Sequence, residues 1–465
     1  MENQWLLKAP IYEGGVLSER DFNIGYGKSI QEDTQTSRMQ LVSDTDESEY
    51  VAYLAKLAQM GYRRIFENRI AENRFAQFVC EDYTLYVYFT GRYREVRVIE
   101  DRVSTPIDCF GDTISEGEGK DTTVIYQYGM MYDPESIQPG GQFARILRKD
   151  GMFYVIRLAD SRLILIDGGW ESQMTEKSLP EALDFLYEVS GTPKGEKIKV
   201  AALILTHPHG EQSLIRQYHD LLDVERFCYN FASFDLTEGA NTAYFDYGAI
   251  FCEKYPDARF LKPHTGQSFT LGDVKIDVMF THEDMVKADT GTLHLRDVNN
   301  TSTVLKLTVH GKTFLLLGDL GTSVKNPYRP IVEDMRLEAR FLGMYSAKHG
   351  SYPALECDIV QVPHHAIHYF RQSEFYCAIR ARYAMLPMTD VEFGDYQPSF
   401  YCHVIEQLFV TGAEHILLAG RKTQWLEIGR DGEITVGSEP LRGADDDYLE
   451  YLNRTPAFDI EQISF

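Results

Sequence analysis

The residues of this chain best suited to chemistry lie in the run Leu203-Ile-Leu-Thr-His207-Pro-His209-Gly-Glu211-Gln212. Side chains two apart on extended backbone point the same way, so His207 and His209 can bring two imidazoles to one cation. Pro208 has no N–H to give to a ladder, which puts the pair at a strand end or in a loop. Glu211 adds a carboxylate on the same side if the backbone stays extended. Taken alone, the spacing is equally met by two surface or capping histidines.

Three further stretches repeat one design. Leu163-Ile-Leu-Ile-Asp167-Gly-Gly169, Phe314-Leu-Leu-Leu-Gly318-Asp319 and Ile359-Val-Gln-Val-Pro363-His364-His365 are apolar runs of buried-strand type that end in ligand-capable groups. In an open sheet covered by helices, strand ends converge on one edge, where sites are built. Each could instead be a separate strand-ending turn, but four ends carrying His and Asp argue for a common site. His219, His264, His282, His294, His310, His349, His368 and His415 lack ligand spacing and read as surface, turn or core residues. His403, at the start of a helix after Gln397-Pro398, stands as a rim candidate.

The elements that position these residues follow from periodicity. Residues 1–125 read as a small α+β unit. A helix over Ser48–Met60 carries Tyr50, Val51, Leu54 and Leu57 on one face and ends at Gly61. Strands follow at Phe75–Val79, Tyr83–Phe89 and Arg94–Ile99, with Gly91 at a turn. This unit carries no catalytic cluster and reads as a packing or partner-binding domain. The polar run Asp112–Asp121 is a loop near its end, and residues 126–139 form a linker.

Residues 140–436 alternate strands and helices. A hairpin joins Phe153–Arg157 to Arg162–Ile166. A helix spans Leu179–Val189, with Ser178 as N-cap, Pro180 in its first turn and Gly191 beyond its end. Strands at Thr303–Val309 and Thr313–Leu317 flank a tight turn at His310-Gly311. Val404–Phe409 reads as a helix, and Ile416–Leu418 and Trp425–Ile428 as late strands. Residues 437–465 form an acidic tail. The aromatic-rich stretch Arg226–Phe260 reads mainly as packing, with some rings available to line a pocket.

Composition bounds the function. The chain has 465 residues, 44% of them hydrophobic, so a full-sized core is available. A formal charge of -24 opposes loose binding to nucleic acid or an anionic membrane, both polyanions. Seven scattered cysteines, none spaced as CxxC, argue against a disulfide framework or a zinc knuckle. With no signal peptide and no apolar run near the ~20 residues that span a bilayer, a cytoplasmic setting is expected.

In their order along the chain, Asp167-Gly-Gly, the HxHxE run, Gly318-Asp319 and His364-His365 resemble the metallo-β-lactamase superfamily. Within it, the chain is most similar to the hydrolase domain of the competence DNA-uptake channel and its soluble relatives. That branch has an Asn-Ser element, here Asn299-Asn300-Thr301-Ser302, and a late Pro-His-His element. The resemblance covers roughly residues 140–435. It implies an αββα sandwich, hence an α/β fold, preceded by the small α+β domain. It also implies a metal site held by His207, His209, Asp319 and His364, with His365 as second choice. Asp167 would support the histidine loop from behind, and Asn300, Ser302 and His365 would face the substrate.

The departures from the family pattern are specific. Where HxHxDH is expected, Glu211 replaces Asp and Gln212 replaces the last His. Glu211 can still coordinate, but Gln212 offers only a neutral amide oxygen. Both stand where a second ion is normally held, so that site is weakened. The first functional expectation is a hydrolase of a phosphodiester, ester, lactone or amide bond. One or two divalent metals would activate water, zinc by default and manganese or iron as alternatives. Glu211 and Asp319 would be its catalytic carboxylates, and its substrate a small molecule or phosphoester. The second expectation is a relative that binds a metabolite or protein partner without turnover.

Overall fold

The computed structural model describes residues 8–25, 37–102, 104–115, 119–129, 152–169, 178–208, 217–232, 250, 253–286, 298–320, 337–347, 350–366, 373–387, 407–419 and 422–443. Among these residues no helix is long and apolar enough to cross a membrane.

The first sheet has six strands: β1 (Val16–Gly25), β2 (Ser37–Ser43), β3 (Arg63–Ile70), β4 (Asn73–Cys80), β5 (Tyr83–Thr90) and β6 (Glu95–Asp101), in the order β1-β2-β6-β5-β4-β3 and antiparallel throughout. Helix α1 (Glu47–Gln59) starts at a capping box, in which Asp46 accepts from the Ser48 and Glu49 amides and Glu49 reaches back to the Asp46 amide. It stops at Gly61, whose φ of 93° is left-handed. Tyr50, Tyr53, Leu54 and Leu57 bury its inner face against one side of the sheet.

The chain enters a second sheet at β7 (Thr122–Gln127), inside the stretch assigned by sequence to the first unit. There β8 (Phe153–Arg157), β9 (Leu163–Asp167), β10 (Ile198–Ile204), β11 (Leu222–Val224), β12 (Arg226–Cys228) and β13 (Arg259–Leu261) follow. A third sheet holds β14 (Ser268–Leu271), β15 (Val274–Phe280), β16 (Val304–Val309), β17 (Lys312–Leu316), β18 (Ile359–Gln361), β19 (Tyr383–Leu386) and β20 (His415–Leu418). The chain then returns to the second sheet with β21 (Lys422–Gly429) and β22 (Ile434–Pro440), so the stretch expected to be tail begins inside a strand. The orders are β13-β12-β10-β9-β8-β7-β21-β22, with β11 beside β10, and β14-β15-β16-β17-β18-β19-β20.

The two sheets face one another across one apolar core, where Ile156, Ile164 and Ile204 meet Val278, Leu305, Leu307 and Ile359. Helix α2 (Ser178–Ser190) packs on the outside of the second sheet. Helices α3 (Leu337–Tyr345) and α4 (Ser373–Ile379) pack on the outside of the third. Two mixed sheets inside with helices outside make an α/β sandwich. Each sheet is antiparallel in one half and parallel in the other: β9, β10, β12 and β13 run parallel, as do β17, β18, β19 and β20. The β16–β17 turn has positive φ at both His310 and Gly311 (46° and 80°), the backbone of a type I′ hairpin.

The other side of the first sheet docks against the third sheet and α3. Met39, Leu41, Phe75, Tyr86, Tyr88 and Ile99 join the core formed by Phe280, Phe341 and Tyr345. Two glycines serve as sockets. A Cβ on Gly266 would stand 2.0 Å from the Phe75 ring, and one on Gly343 would stand 2.1 Å from the Tyr93 hydroxyl. At the same seam, the fully buried His264 ring lies between Asp101, to which its Nε2 bonds, and Glu283, whose Oε1 is 2.8 Å from Nδ1. Lys262 donates to Ser37, Ser37 to Asp101, and Asn230 to Glu283. Burial opposes a charge on His264, but Glu283 and Asp101 outweigh it and lift its pKa to about 10.

Candidate functional site

The parallel strands of both inner sheets end at one edge, and the backbone breaks sharply there. Asp167 (φ 55°), Gly318 (φ 58°), His364 (φ 48°) and His365 (φ 53°) all lie in the left-handed region. For a non-glycine residue this costs on the order of 1 kcal/mol or more and is found where surrounding structure holds a side chain in place.

His207 follows β10 and is fully buried. Its Nδ1 lies 2.9 Å from the Thr206 hydroxyl, and that hydroxyl donates to Asp167 Oδ2 at 2.8 Å. A hydroxyl that has given its one proton to a carboxylate accepts from the ring, so Nδ1 carries the imidazole proton and Nε2 presents a lone pair. Asp167 also accepts the Thr206 amide at 2.9 Å. This junction exists because β9 and β10 pair in register through Ile166 and Ile204. Burial pushes the Asp167 carboxyl up to about 6 against the pull of His207 and the Thr206 bonds.

Asp319 follows β17 and is buried. Its amide donates to Ser302 Oγ at 3.0 Å. Its Oδ2 is 3.4 Å from His207 Nε2 and 3.4 Å from His365 Nε2. Its Oδ1 is buried without a hydrogen-bond partner among the described residues. Burial opposes charge here, yet with the His365 and His207 rings protonated, as they would be with no cation between them, the carboxyl is held well below the usual carboxylate range. His365 Nδ1 is 2.6 Å from the Pro387 carbonyl. A carbonyl only accepts, so this ring also keeps its proton on Nδ1 and aims an Nε2 lone pair at Asp319.

Two imidazole nitrogens and one carboxylate oxygen therefore converge. Tetrahedral zinc with bonds of about 2.0–2.2 Å separates its ligand atoms by roughly 3.4 Å, too far for a good hydrogen bond and the spacing of both pairs here. The donor set, both tautomers and the bare Asp319 oxygen fit such an ion. No set of three or more His, Cys, Asp or Glu side chains among the described residues closes a cation site by itself. The arrangement is two histidine–carboxylate pairs sharing one oxygen.

Sequence order and geometry differ over the late histidines. His364, expected at the ion, is half-buried with its Nε2 3.3 Å from the Asn299 amide nitrogen. The neighbouring His365, second choice by resemblance, is the one beside Asp319. The paired left-handed residues turn one ring inward and the other toward the rim, which sequence spacing cannot reveal. Ser302, expected to face substrate, is fully buried and holds the Asp319 amide. Asn300 is buried beside it. His209, Glu211, Gln212 and His403 lie outside the described residues.

Three contributors were absent from the sequence reading. Thr206 links Asp167 to His207. Gln361 accepts the Leu317 amide at 2.7 Å and donates to the Gly318 carbonyl at 3.0 Å, joining the ends of β17 and β18. The Pro387 carbonyl fixes His365. A lone amide within the apolar run Ile-Val-Gln-Val was the available signal for Gln361.

Gly318 is the tightest point. A Cβ there would lie 2.9 Å from Ser302 Oγ and 3.1 Å from Thr206 Cβ, on left-handed backbone. Gly318→Ala is expected to cost about 2–3 kcal/mol from strain and overpacking together, read from urea unfolding midpoints. A loss below ~0.5 kcal/mol, within the range of ordinary surface changes, would show the crowding to be relieved by relaxation.

No protein-family model matches the chain, and no curated protein matches it significantly. Solved structures similar to it include zinc-bound PqqB from Methylobacterium extorquens, with TM-score 0.28, 8% identity, and coverage of 52% of this chain and 72% of that one. A protein from Thermotoga maritima provisionally assigned as a zinc-dependent hydrolase of the metallo-β-lactamase superfamily has TM-score 0.25 and 9% identity, covering 63% and 98%. A protein of unknown function from Enterococcus faecalis V583 has TM-score 0.27 and 11% identity, covering 52% and 49%.

Proposed function

We propose that this chain is a metal-dependent hydrolase of the metallo-β-lactamase fold, cytoplasmic, using zinc at His207, His209, Asp319 and His365. The single observation that carries the reading is the pair of Nε2 lone pairs set 3.4 Å from one Asp319 oxygen, each with its Nδ1 proton already committed. The order of the four strand-end motifs supports it independently. The cation, when bound, supplies Lewis acidity that lets water ionise near neutral pH.

The protein's own groups do the rest. Asp167, acting through Thr206, keeps the His207 ring in one tautomer and orientation, and the Pro387 carbonyl does the same for His365. Ser302 fixes the Asp319 backbone, leaving Oδ1 to accept a hydrogen bond from the attacking water. Glu211 orients that water or takes its proton. Asn300 donates to the oxygen that gains negative charge. The substrate is a small ester, amide or phosphoester, with phosphodiesters first to test. A charge of -24 disfavours long nucleic acid.

The residues Glu211 and Gln212 favour a second reading, a relative that binds a metabolite or protein partner without turnover. Metal analysis of protein purified without chelator separates the two, together with hydrolysis of chromogenic phosphodiesters. The enzyme reading expects about one bound ion per chain, turnover that His207→Ala abolishes, and added second-site occupancy in the Glu211→Asp, Gln212→His double variant. Finding neither bound metal nor hydrolysis in either protein would overturn the enzyme reading and support the second.

A further inference from the structure

The first sheet carries one buried group that packing alone does not explain. Arg97, on β6, is fully buried. Its Nε donates to the Glu283 carbonyl at 3.0 Å, and its Nη2 to the Val286 carbonyl at 2.9 Å and the Asp284 carbonyl at 3.4 Å. Its Nη1 bonds Glu95 at 3.0 Å, and its plane faces the Tyr88 ring. These three carbonyls end the single 3-10 turn His282–Met285 that follows β15; the Glu283 carbonyl also accepts the Val286 amide at 3.3 Å, and a turn this short has no further amide for the other two. The Tyr88 hydroxyl and Thr265 hold the Asp284 carboxylate in the same turn, and His264 and Asn230 hold Glu283.

This turn leads directly to the site. Phe280, the last residue of β15, pairs with Val304, the first of β16. One residue earlier, the Thr303 amide donates to the Thr206 carbonyl at 2.9 Å, joining the third sheet to the His207 segment of the second. One residue before that, Ser302 holds the Asp319 amide. A second route runs from Glu95 to Arg340 on α3, and from Tyr345 on the same helix to the Met279 carbonyl in β15. Both routes begin at the Glu95–Arg97 pair and end beside residues 279–286.

A buried ion pair is weak evidence for stability, since apolar residues of similar volume serve as well or better. What a rigid guanidinium fork adds is a fixed position for the groups it binds. We infer that the first sheet is a positioning element of the candidate site, with Arg97 setting the 281–286 turn and through it the Thr206–Ser302–Asp319 junction. Its use in catalysis rests on the hydrolase reading; its positioning of the junction does not.

The test is hydrogen–deuterium exchange on the full chain, comparing Arg97→Met, Arg97→Lys and Leu57→Ala. Leu57 lies in the separate core under α1, so Leu57→Ala loosens the first sheet without touching the turn. Positioning predicts exchange at least about tenfold faster over residues 299–304 and 317–320 in Arg97→Met, a smaller rise in Arg97→Lys, and none in Leu57→Ala. Equal exchange there in Arg97→Met and Leu57→Ala would overturn it. Should Arg97→Met fail to fold, Glu95→Gln and Arg97→Lys carry the same comparison. Cobalt(II) titration is a separate arm. If wild-type protein binds no cobalt, the cation reading falls while the exchange result still decides positioning. If it binds, Arg97→Met should weaken cobalt binding by roughly 10–100-fold, the size of an indirect effect on a ligand, and alter its visible spectrum; Leu57→Ala should change neither.

Discussion

If the chain is the hydrolase proposed, Asp319→Ala is expected to abolish cation binding and lower kcat/KM by roughly 10³-fold or more, the upper range for losing one electrostatic group at a reacting centre. Asp319 is the only residue that both His207 and His365 face at 3.4 Å among the described residues, so its loss removes the shared corner of both ligand pairs. Asp319→Asn is the sharper version, since it keeps shape and changes charge. The same assay separates the late histidines. His365→Ala should fall with Asp319→Ala, whereas His364→Ala should keep its cation, because its ring faces Asn299. Metal content and initial rates measured together decide the matter. An Asp319→Asn protein that retains its ion and works within about tenfold of wild type, as loss of a supporting group alone would allow, would sink the site.

The second large effect concerns stability and pH. His264 has a folded pKa near 10 against about 6.5 in the unfolded chain. Its contribution is fully present below pH ~6.5 and is lost as pH rises toward 10. Asp101 and Glu283 are held low by His264 in spite of burial. Their contribution is present above the unfolded carboxylate range near pH 4 and fades in acid. The network therefore stabilises most between about pH 5 and 6.5. His264→Gln should cost about 3–5 kcal/mol near pH 6, because two buried carboxylates lose their partner. The penalty should shrink steadily to pH 9.5. Urea midpoints across that range give the curve, and a penalty independent of pH would show that His264 is neutral in the folded protein.

Much of the inner sandwich was legible because its strands are unbroken apolar runs with distinctive ends. Leu163–Asp167 and Val304–Val309 fall within a residue of their expected limits, and the His310-Gly311 turn announced itself by sequence. β15 was missed although its signals are present: Val274–Phe280 alternates with Lys275 and Asp277 on its outer side, and Gly272-Asp273 forms the two-residue turn before it. β12 and β13 have three residues each, too short for any period to register. At the site, Asp167, His207 and Asp319 were picked out by position at strand ends. That His365 and not His364 stands beside Asp319 depends on two left-handed residues in succession, a backbone choice that side-chain chemistry does not dictate. The docking of the first sheet was invisible for a different reason: Arg97, His264 and Tyr86 look like ordinary surface or core residues until the long-range partner is known.

The glycine sockets at 266 and 343 bear on how such a chain can change over generations. Phe75 and Tyr93 each fill a hole that exists only because a residue some 190 or 250 positions away, by sequence numbering, lacks a side chain. Neither partner can drift alone: a larger residue at Gly266 evicts a ring, and a smaller one at Phe75 leaves a void. The leading sheet is thus not a detachable accessory that recombination could swap for another, and its inheritance is tied to that of the sandwich it leans on.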